Sequence, residues 1–331
     1  MNPEPAAPAA PEAPRASRRR RARTLRAALV AAAASLTLVA FLAPRAVSAQ
    51  PQGQQSDARL PAAPEPALRR ATTRREVRRF GFGNNLTIYG APEGSITVEA
   101  WARPEIEIVA DVELRANTEE ELARLAAVNT FFLDEDATHF RVITTGTHDR
   151  KFMQRAAKTL PAAKNFPKHL LSMPWRIDYR VRVPAVVDLE VSAGRGALVF
   201  TGVEGSLQLH AGESRAVLTL GGGDVSATLV GGTVLLRVPE RSWRGHGATV
   251  RLATGQLTVA VPAGFNGEIT AVVAGAGRVE TAEGALALEE GAQVAERHLR
   301  GRAGSGGARF TFEVGAGVIR FERLGGARAQ P

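Results

Sequence analysis

The stretch from Leu189 to Val238 repeats every nine residues, and this period limits the possible folds more than any other feature. Each unit begins with a small residue, and the column of these residues is Gly196, Gly205, Ser214, Gly223 and Gly232. Apolar residues stand two and four positions later, at Leu198, Leu207, Ala216, Val225, Val234 and at Phe200, Leu209, Leu218, Ala227, Leu236. A small turn residue followed by alternating apolar and polar positions is typical of a short strand with one buried face.

A fixed period of this kind means that one unit stacks on copies of itself and buries a continuous core. After Val238 the nine-residue spacing is kept less strictly, and it predicts further rungs at 248–252, 257–261 and 269–273. We therefore predict an all-β fold, a single-stranded β-helix or β-solenoid with rungs of about nine residues. Either two or three rungs could make one full coil, and the sequence does not choose between them.

Shorter alternating segments flank the repeat. Those before it are 86–89, 95–101, 105–112, 139–145 and 176–183. After it, Arg309 to Val314 and Val318 to Phe321 predict a closing hairpin.

Residues 115–173 interrupt this alternation of apolar and polar residues, and their sequence predicts a partly helical insertion. Asn117 or Thr118 can cap a helix that ends near Asn129, because three glutamates fill its first turn and Leu122 and Leu125 share one face. The following residues, 147–173, are basic and are interrupted by two prolines.

The segment 147–173 holds the candidate contact residues, which mix cations with apolar side chains: Lys151, Phe152, Arg155, Lys158, Lys164, Phe166 and Lys168. Such a mixture suits an anionic membrane surface or a partner. The alternative, which we favour at this stage, is a capping segment that covers the open end of the stack.

The amino-terminal residues 1–49 predict an export signal. The formal net charge of the chain is +9, but residues 1–49 contain eight arginines and two acidic residues, which leaves 34 basic and 31 acidic residues elsewhere. The near balance of the remainder argues against nucleic acid as a partner. The arginines precede an apolar run from Ala27 to Leu42, and Val47-Ser48-Ala49 fits cleavage before Gln50.

We therefore predict a protein that is exported to the periplasm or the cell surface. An uncleaved signal-anchor is the alternative, with the domain held outside the inner membrane. Residues 50–75 predict a disordered linker rich in proline and glutamine, residues 76–325 the β domain, and residues 326–331 a disordered tail.

No motif predicts catalytic, cofactor-binding or metal-binding residues. The chain has no cysteine, and its histidines lie in no metal-ligand spacing. The segment 212–216 lacks the second glycine and the helix of a nucleophile elbow. Asp224 is the only carboxylate in its column, whereas a calcium ion needs six to eight oxygen ligands.

Four passages carry a resemblance to a known family: Gly94 to Trp101, Tyr179 to Pro184, Val187 to Val191 and Val314 to Phe321. Together with the glycine-led rungs, they resemble the putative adhesin family of bacterial exported proteins, a domain of unknown function. The resemblance covers about residues 80–325 apart from 115–173. It implies a β-helix-like body outside the cytoplasm, with no known catalytic residues to carry over.

The function predicted from the sequence is that of a non-enzymatic, adhesin-like envelope or surface protein, whose regular face binds a protein or polysaccharide partner. The rungs expose small hydroxyls at Thr219, Ser226, Thr228, Thr249 and Thr258. One alternative is a carbohydrate-active β-helix enzyme such as a polysaccharide lyase, which would need clustered carboxylates. The other is a self-assembling envelope scaffold.

Overall fold

The computed structural model describes residues 66–81 and 83–325, all within the unit Ala63–Pro331. The predicted leader (1–49), the predicted tail (326–331) and most of the predicted linker lie outside these residues. Within the described ranges, no helix is long and apolar enough to span a bilayer.

The described chain is mostly β, as predicted, and its seventeen strands join in one mixed sheet. The first nine are β1 (Leu68–Arg79), β2 (Asn85–Tyr89), β3 (Ile96–Trp101), β4 (Glu105–Ala116), β5 (Thr130–Glu135), β6 (His139–Thr145), β7 (Trp175–Pro184), β8 (Asp188–Ala193) and β9 (Gly196–Thr201). The others are β10 (Ser206–Thr219), β11 (Gly222–Arg237), β12 (Arg244–Val261), β13 (Gly267–Val273), β14 (Gly277–Thr281), β15 (Gln293–Ala295), β16 (His298–Ala303) and β17 (Arg309–Arg323).

The nine-residue repeats pair in parallel with a step of two repeats. Leu189 lies beside Leu207 and Leu207 beside Val225, so each partner is 18 residues further along the chain. Gly196, Ser214 and Gly232 are related by the same step. Within this stretch, two repeats therefore separate one strand from its parallel neighbour.

The two repeats of each step build two runs of parallel strands. We call the first run the first ladder; its strand segments are 85–89, 188–193, 206–211, 224–229, 247–252, 309–314 and 268–273. The second ladder consists of 96–101, 196–201, 214–219, 232–237, 255–261, 317–323 and 277–281. The apolar columns of both ladders belong to one buried cluster, as the alternation predicts.

β17 is one strand and not the predicted closing hairpin. It lies in parallel between earlier parts of the chain, with Thr311 beside Thr249 on one side and beside Thr270 on the other. Gly317, with φ +142°, lets the chain bend at this point, so β17 passes from the first ladder to the second without reversing. The predicted hairpin was wrong because a glycine corner and a hairpin turn look alike in sequence.

The other end of the ladders carries the predicted insertion. β7, β4 and β1 extend the second ladder, while β6 and β5 extend the first. The helices are α1 (Glu119–Val128) and α2 (Arg150–Thr159), followed by 3-10 turns at Pro161–Ala163 and Lys168–Ser172. The predicted amphipathic helix is α1, and its capping box joins Thr118 and Glu121.

The predicted linker, 50–75, extends too far, because β1 already begins at Leu68. Most side chains of β1 are exposed, so the strand shows no apolar period. It is held instead by backbone pairing with β4, from Leu68 beside Ala116 to Arg79 beside Glu105.

Candidate functional site

Residues 150–172, which we call the basic end segment, form the most one-sidedly charged surface among the residues that the structure describes. The segment contains no aspartate or glutamate. Its lysines and arginines are Arg150, Lys151, Arg155, Lys158, Lys164 and Lys168. α2 begins after Asp149, whose carboxylate accepts hydrogen bonds from the backbone N–H groups of Lys151 and Phe152.

The structure divides the predicted contact residues into two groups. The five cations Lys151, Arg155, Lys158, Lys164 and Lys168 are exposed. Phe152 and Phe166 are half-buried and pack on a small cluster made by Val128, Met153, Ala156 and Ala163. The two phenylalanines therefore attach the segment to the domain and are not an outward-facing apolar surface.

None of the six cations forms an ion pair with any residue in 66–81 or 83–325. This sets them apart from arginines on the strands, such as Arg180, whose guanidinium lies 2.9 Å from the carboxylate of Asp111. Leu160 and Leu171 of the segment are 40% and 44% exposed. The segment thus presents uncompensated positive charge together with two apolar side chains.

Contacts with α1 fix the position of this segment in the fold. The imidazole Nε2 of His169 lies 2.9 Å from a carboxylate oxygen of Glu121. Glu119, at the start of the same helix, pairs with Arg70 of β1 at 2.8 Å. The strand through which the chain enters the described domain therefore lies at the same end as the basic segment.

A second candidate surface is a cleft of about 660 Å³ at the opposite end of the ladders, which we call the arginine cleft. Its polar lining comes from alternate residues of β17, β13, β16 and β15: Glu268, Thr270, Gln293, Arg300, Arg302, Arg309 and Thr311. Three guanidinium groups and one carboxylate therefore line the cleft, and Arg302 also lies 3.8 Å from Glu289, which is outside this lining. Glu268 lies between two of them, 3.6 Å from Arg309 and 3.9 Å from Arg302.

A row of uncharged polar side chains leads along the first ladder to this cleft. Its members occupy the same register on successive strands: Gln208, Ser226, Thr249, Thr311 and Thr270. Of the hydroxyls predicted to be exposed, the structure brings Ser226 and Thr249 side by side, and it places Thr228 two residues further along β11. Thr219 and Thr258 lie on the second ladder, apart from the row.

Sequence reasoning missed the arginine cleft because its residues come from strands that are far apart in the chain. Thr270 and Thr311 become neighbours only through the insertion of β17 beside β13. No local sequence pattern predicts the pairing of β17 with β13. The cluster of Arg297, Arg300 and Arg302 was the one available signal.

The positions considered above for a nucleophile or a calcium ion do not form such sites in the described chain. Ser214 is buried, and its hydroxyl donates to the carbonyl oxygen of Gly194 at 3.0 Å. Asp224 is exposed on β11. Across residues 66–81 and 83–325, no three or more His, Asp or Glu side chains form a group that could hold a metal ion.

No protein-family model and no curated protein matches the chain. Among solved structures, it is similar to a putative cell adhesion protein from Clostridium sporogenes, with 12% identity and a TM-score of 0.35 over 76% of this chain and all of that one. It is also similar to a putative adhesin from Bacteroides fragilis, with 9% identity and a TM-score of 0.30 over 76% of this chain and 96% of that one.

Proposed function

We propose that this chain is a non-enzymatic, exported envelope protein of adhesin-like type, in which the basic end segment contacts an anionic membrane surface. The observation that carries the proposal is the set of six exposed cations with no acidic partner in the described chain. Anionic phospholipid headgroups attract such clusters. Leu160 and Leu171 add apolar side chains that can enter the headgroup layer.

The proposal assigns separate roles to the two sides of the segment. Phe152 and Phe166 pack inward on the small cluster, and Phe166 also packs against the main core, which supports the capping interpretation. Capping does not require six outward cations, because a neutral polar surface would be equally soluble. The charges are therefore available for a partner outside the domain.

We further propose that the two ladders are the two sides of a β-solenoid with one coil for every two repeats. The 18-residue parallel step supports this interpretation, as do the apolar columns buried on both ladders. Because each coil rests on its neighbours, the body would hold the basic end segment at a fixed position.

The predicted export signal fits the same arrangement. β1 begins at Leu68, and Arg70 of this strand pairs with Glu119 beside the basic segment. If the apolar run Ala27–Leu42 were retained in the membrane, the chain would enter the domain at its basic end. After cleavage at Ala49, which we favour, the segment would supply membrane contact by charge alone.

Vesicle co-sedimentation tests this function directly. The purified protein should bind vesicles of phosphatidylglycerol at about 0.15 M salt and leave phosphatidylcholine vesicles unbound. Replacing Lys151, Arg155 and Lys158 by glutamine should weaken binding about 100-fold, because each charge near an anionic surface contributes about 1 kcal/mol.

The matched control replaces Arg195, Arg215 and Arg237 by glutamine. These arginines are exposed at or near the second ladder and form no ion pair within the described ranges. Both triple variants lower the net charge by three, so an effect of total charge would weaken them equally. Equal weakening, or no preference for anionic vesicles in the unmodified protein, would contradict the proposal.

A further inference from the structure

We infer that the arginine cleft and the polar row beside it form a binding site for an acidic polysaccharide, meaning a sugar chain with carboxylate or sulfate groups. The site lies on the first ladder near the β15–β16 end, whereas the basic end segment lies at the β1 end. The inference is therefore independent of membrane contact.

The arrangement of charges in the cleft favours an oxyanion ligand. Arg300 is exposed and forms no ion pair in the part of the chain that the structure describes. Arg309, with 84% of its side chain exposed, lies 3.6 Å from Glu268. Such long contacts leave most guanidinium N–H donors free, and the planar guanidinium can bind a carboxylate or a sulfate through two of them.

Another cleft of similar size shows why the charges matter. It has a volume of about 630 Å³ and includes Arg176 and Arg180. Arg180 lies 2.9 Å from Asp111, and Arg176 lies 3.0 Å from Glu113. Two of the three arginines that line it are thus already paired with carboxylates of the protein, and only Arg195 has no ion pair in the described chain. In the arginine cleft, by contrast, Arg300 has no ion pair among the described residues, and Arg302 and Arg309 lie 3.6 Å or more from the carboxylates of Glu268 and Glu289.

The polar row supplies a linear track for the rest of the ligand. Neighbouring strands lie about 4.8 Å apart, so the five side chains from Gln208 to Thr270 extend over about 19 Å. Their hydroxyl and amide groups both donate and accept hydrogen bonds, as sugar hydroxyls do. Thr270 lies beside Arg300 on the next strand, so the track ends at the charged cleft.

The same surface is poorly suited to a nucleic acid. Single strands are held by bases that stack on exposed aromatic side chains. Phe310, the aromatic residue in the lining, is 1% exposed. A polymer whose monomers carry hydroxyls and scattered charges matches the available groups better than one that needs stacking platforms.

Calorimetric titration with defined polymers tests the inference. Polygalacturonate supplies carboxylates, dextran sulfate supplies sulfates, and dextran is neutral. The protein should bind at least one acidic polymer, which also identifies the preferred anion, and should bind dextran negligibly. Replacing Arg300 and Arg309 by glutamine should weaken that binding about tenfold or more, because two charged hydrogen-bond donors are removed.

The double replacement of Arg215 and Arg237 by glutamine is the matched control, and it should change binding by less than about twofold. Glu268→Gln should strengthen binding several-fold, because it removes the carboxylate that competes with the ligand. Glu213 is exposed and forms no ion pair in the described chain, so Glu213→Gln should leave the binding affinity unchanged.

Three results would overturn the inference: no acidic polymer binds, both double variants lose affinity equally, or a single-stranded oligonucleotide of equal charge binds as tightly as the sugar polymer. Each would mean that the cleft is an ordinary solvated surface or a nonspecific polyanion site. Thermal unfolding of every variant, followed by circular dichroism, confirms that only the ligand contacts have changed.

Discussion

Individual glycines set how closely neighbouring strands of the ladders can approach one another. Gly255 and Gly317 lie beside each other on the second ladder, and both have positive φ angles, +134° and +142°. A Cβ atom at Gly255 would overlap the carbonyl oxygen of Gly232, its neighbour on the preceding strand. The repeat of small residues in the sequence therefore reflects a backbone contact as well as a turn.

Gly255→Ala should lower the free energy of unfolding by about 2–4 kcal/mol, because the substitution adds a steric overlap to an unfavourable φ. The matched control is Gly284→Ala, where φ is +68° and no atom lies within 4 Å of the added Cβ. The control should cost about 1 kcal/mol, the penalty of the left-handed conformation alone. Urea unfolding measures both, and equal losses would refute the role of close packing.

Ion pairs attach the exposed strand β1 to its neighbour β4. Glu107 of β4 is 6% exposed, and hydrogen bonds from Arg75 of β1 and Arg182 of β7 lower its pKa. At Glu113 burial raises the pKa, but the hydrogen bonds from Arg115 and Arg69 outweigh it and the pKa falls. Both carboxylates join β4 to β1.

The β1–β4–β7 sheet should therefore lose stability in acid. Because the pKa of Glu107 is lower in the folded state than its usual 4.5, its contribution is complete above that pH and disappears as pH falls through the folded value. Glu107→Gln should destabilise the protein by about 2 kcal/mol at pH 7 and flatten this pH dependence. Exposed Glu190, replaced by glutamine, is the control. Hydrogen exchange of the β1 amides measures the loss of stability. If the Glu107→Gln variant were as sensitive to acid as the unmodified protein, the prediction would be contradicted.

Elements with a single buried face could be predicted from the sequence, and elements held by other means could not. Leu198 and Phe200 alternate with polar residues, so β9 was expected. β1 escaped prediction because Arg69 and Arg75 act through ion pairs, which leave no apolar period. The arginine cleft escaped because its strands are brought together by tertiary contacts.

At the scale of the whole molecule, the step of 18 residues makes a pair of repeats the unit that can be removed without changing the pairing of the other strands. Leu189, Leu207 and Val225 occupy the same register on successive strands of the first ladder. Removing 206–223 would place Val225 where Leu207 lies now, beside Leu189. Every later strand would keep its ladder.

Deletion of 206–223 should therefore give a folded protein with a strong β signal in circular dichroism and cooperative unfolding. Its urea m-value should be smaller, because two repeats fewer are exposed on unfolding. Deletion of 206–214, one repeat, should abolish cooperative unfolding, because all later strands would move to the wrong ladder. If both deletions were tolerated equally, the two-repeat step would not be the structural unit.

The position of β17 gives the molecule an order of assembly. A chain that emerges amino end first completes residues 267–281 well before residues 309–323, yet the two segments are neighbours, and β17 separates β12 from β13. Until β17 is synthesised, β12 and β13 therefore each have an edge whose backbone groups lack their final partner strand. Unpaired parallel edges invite pairing with other chains. The interval between the synthesis of Val261 and that of Arg323 is when this protein depends most on being kept apart from its own copies.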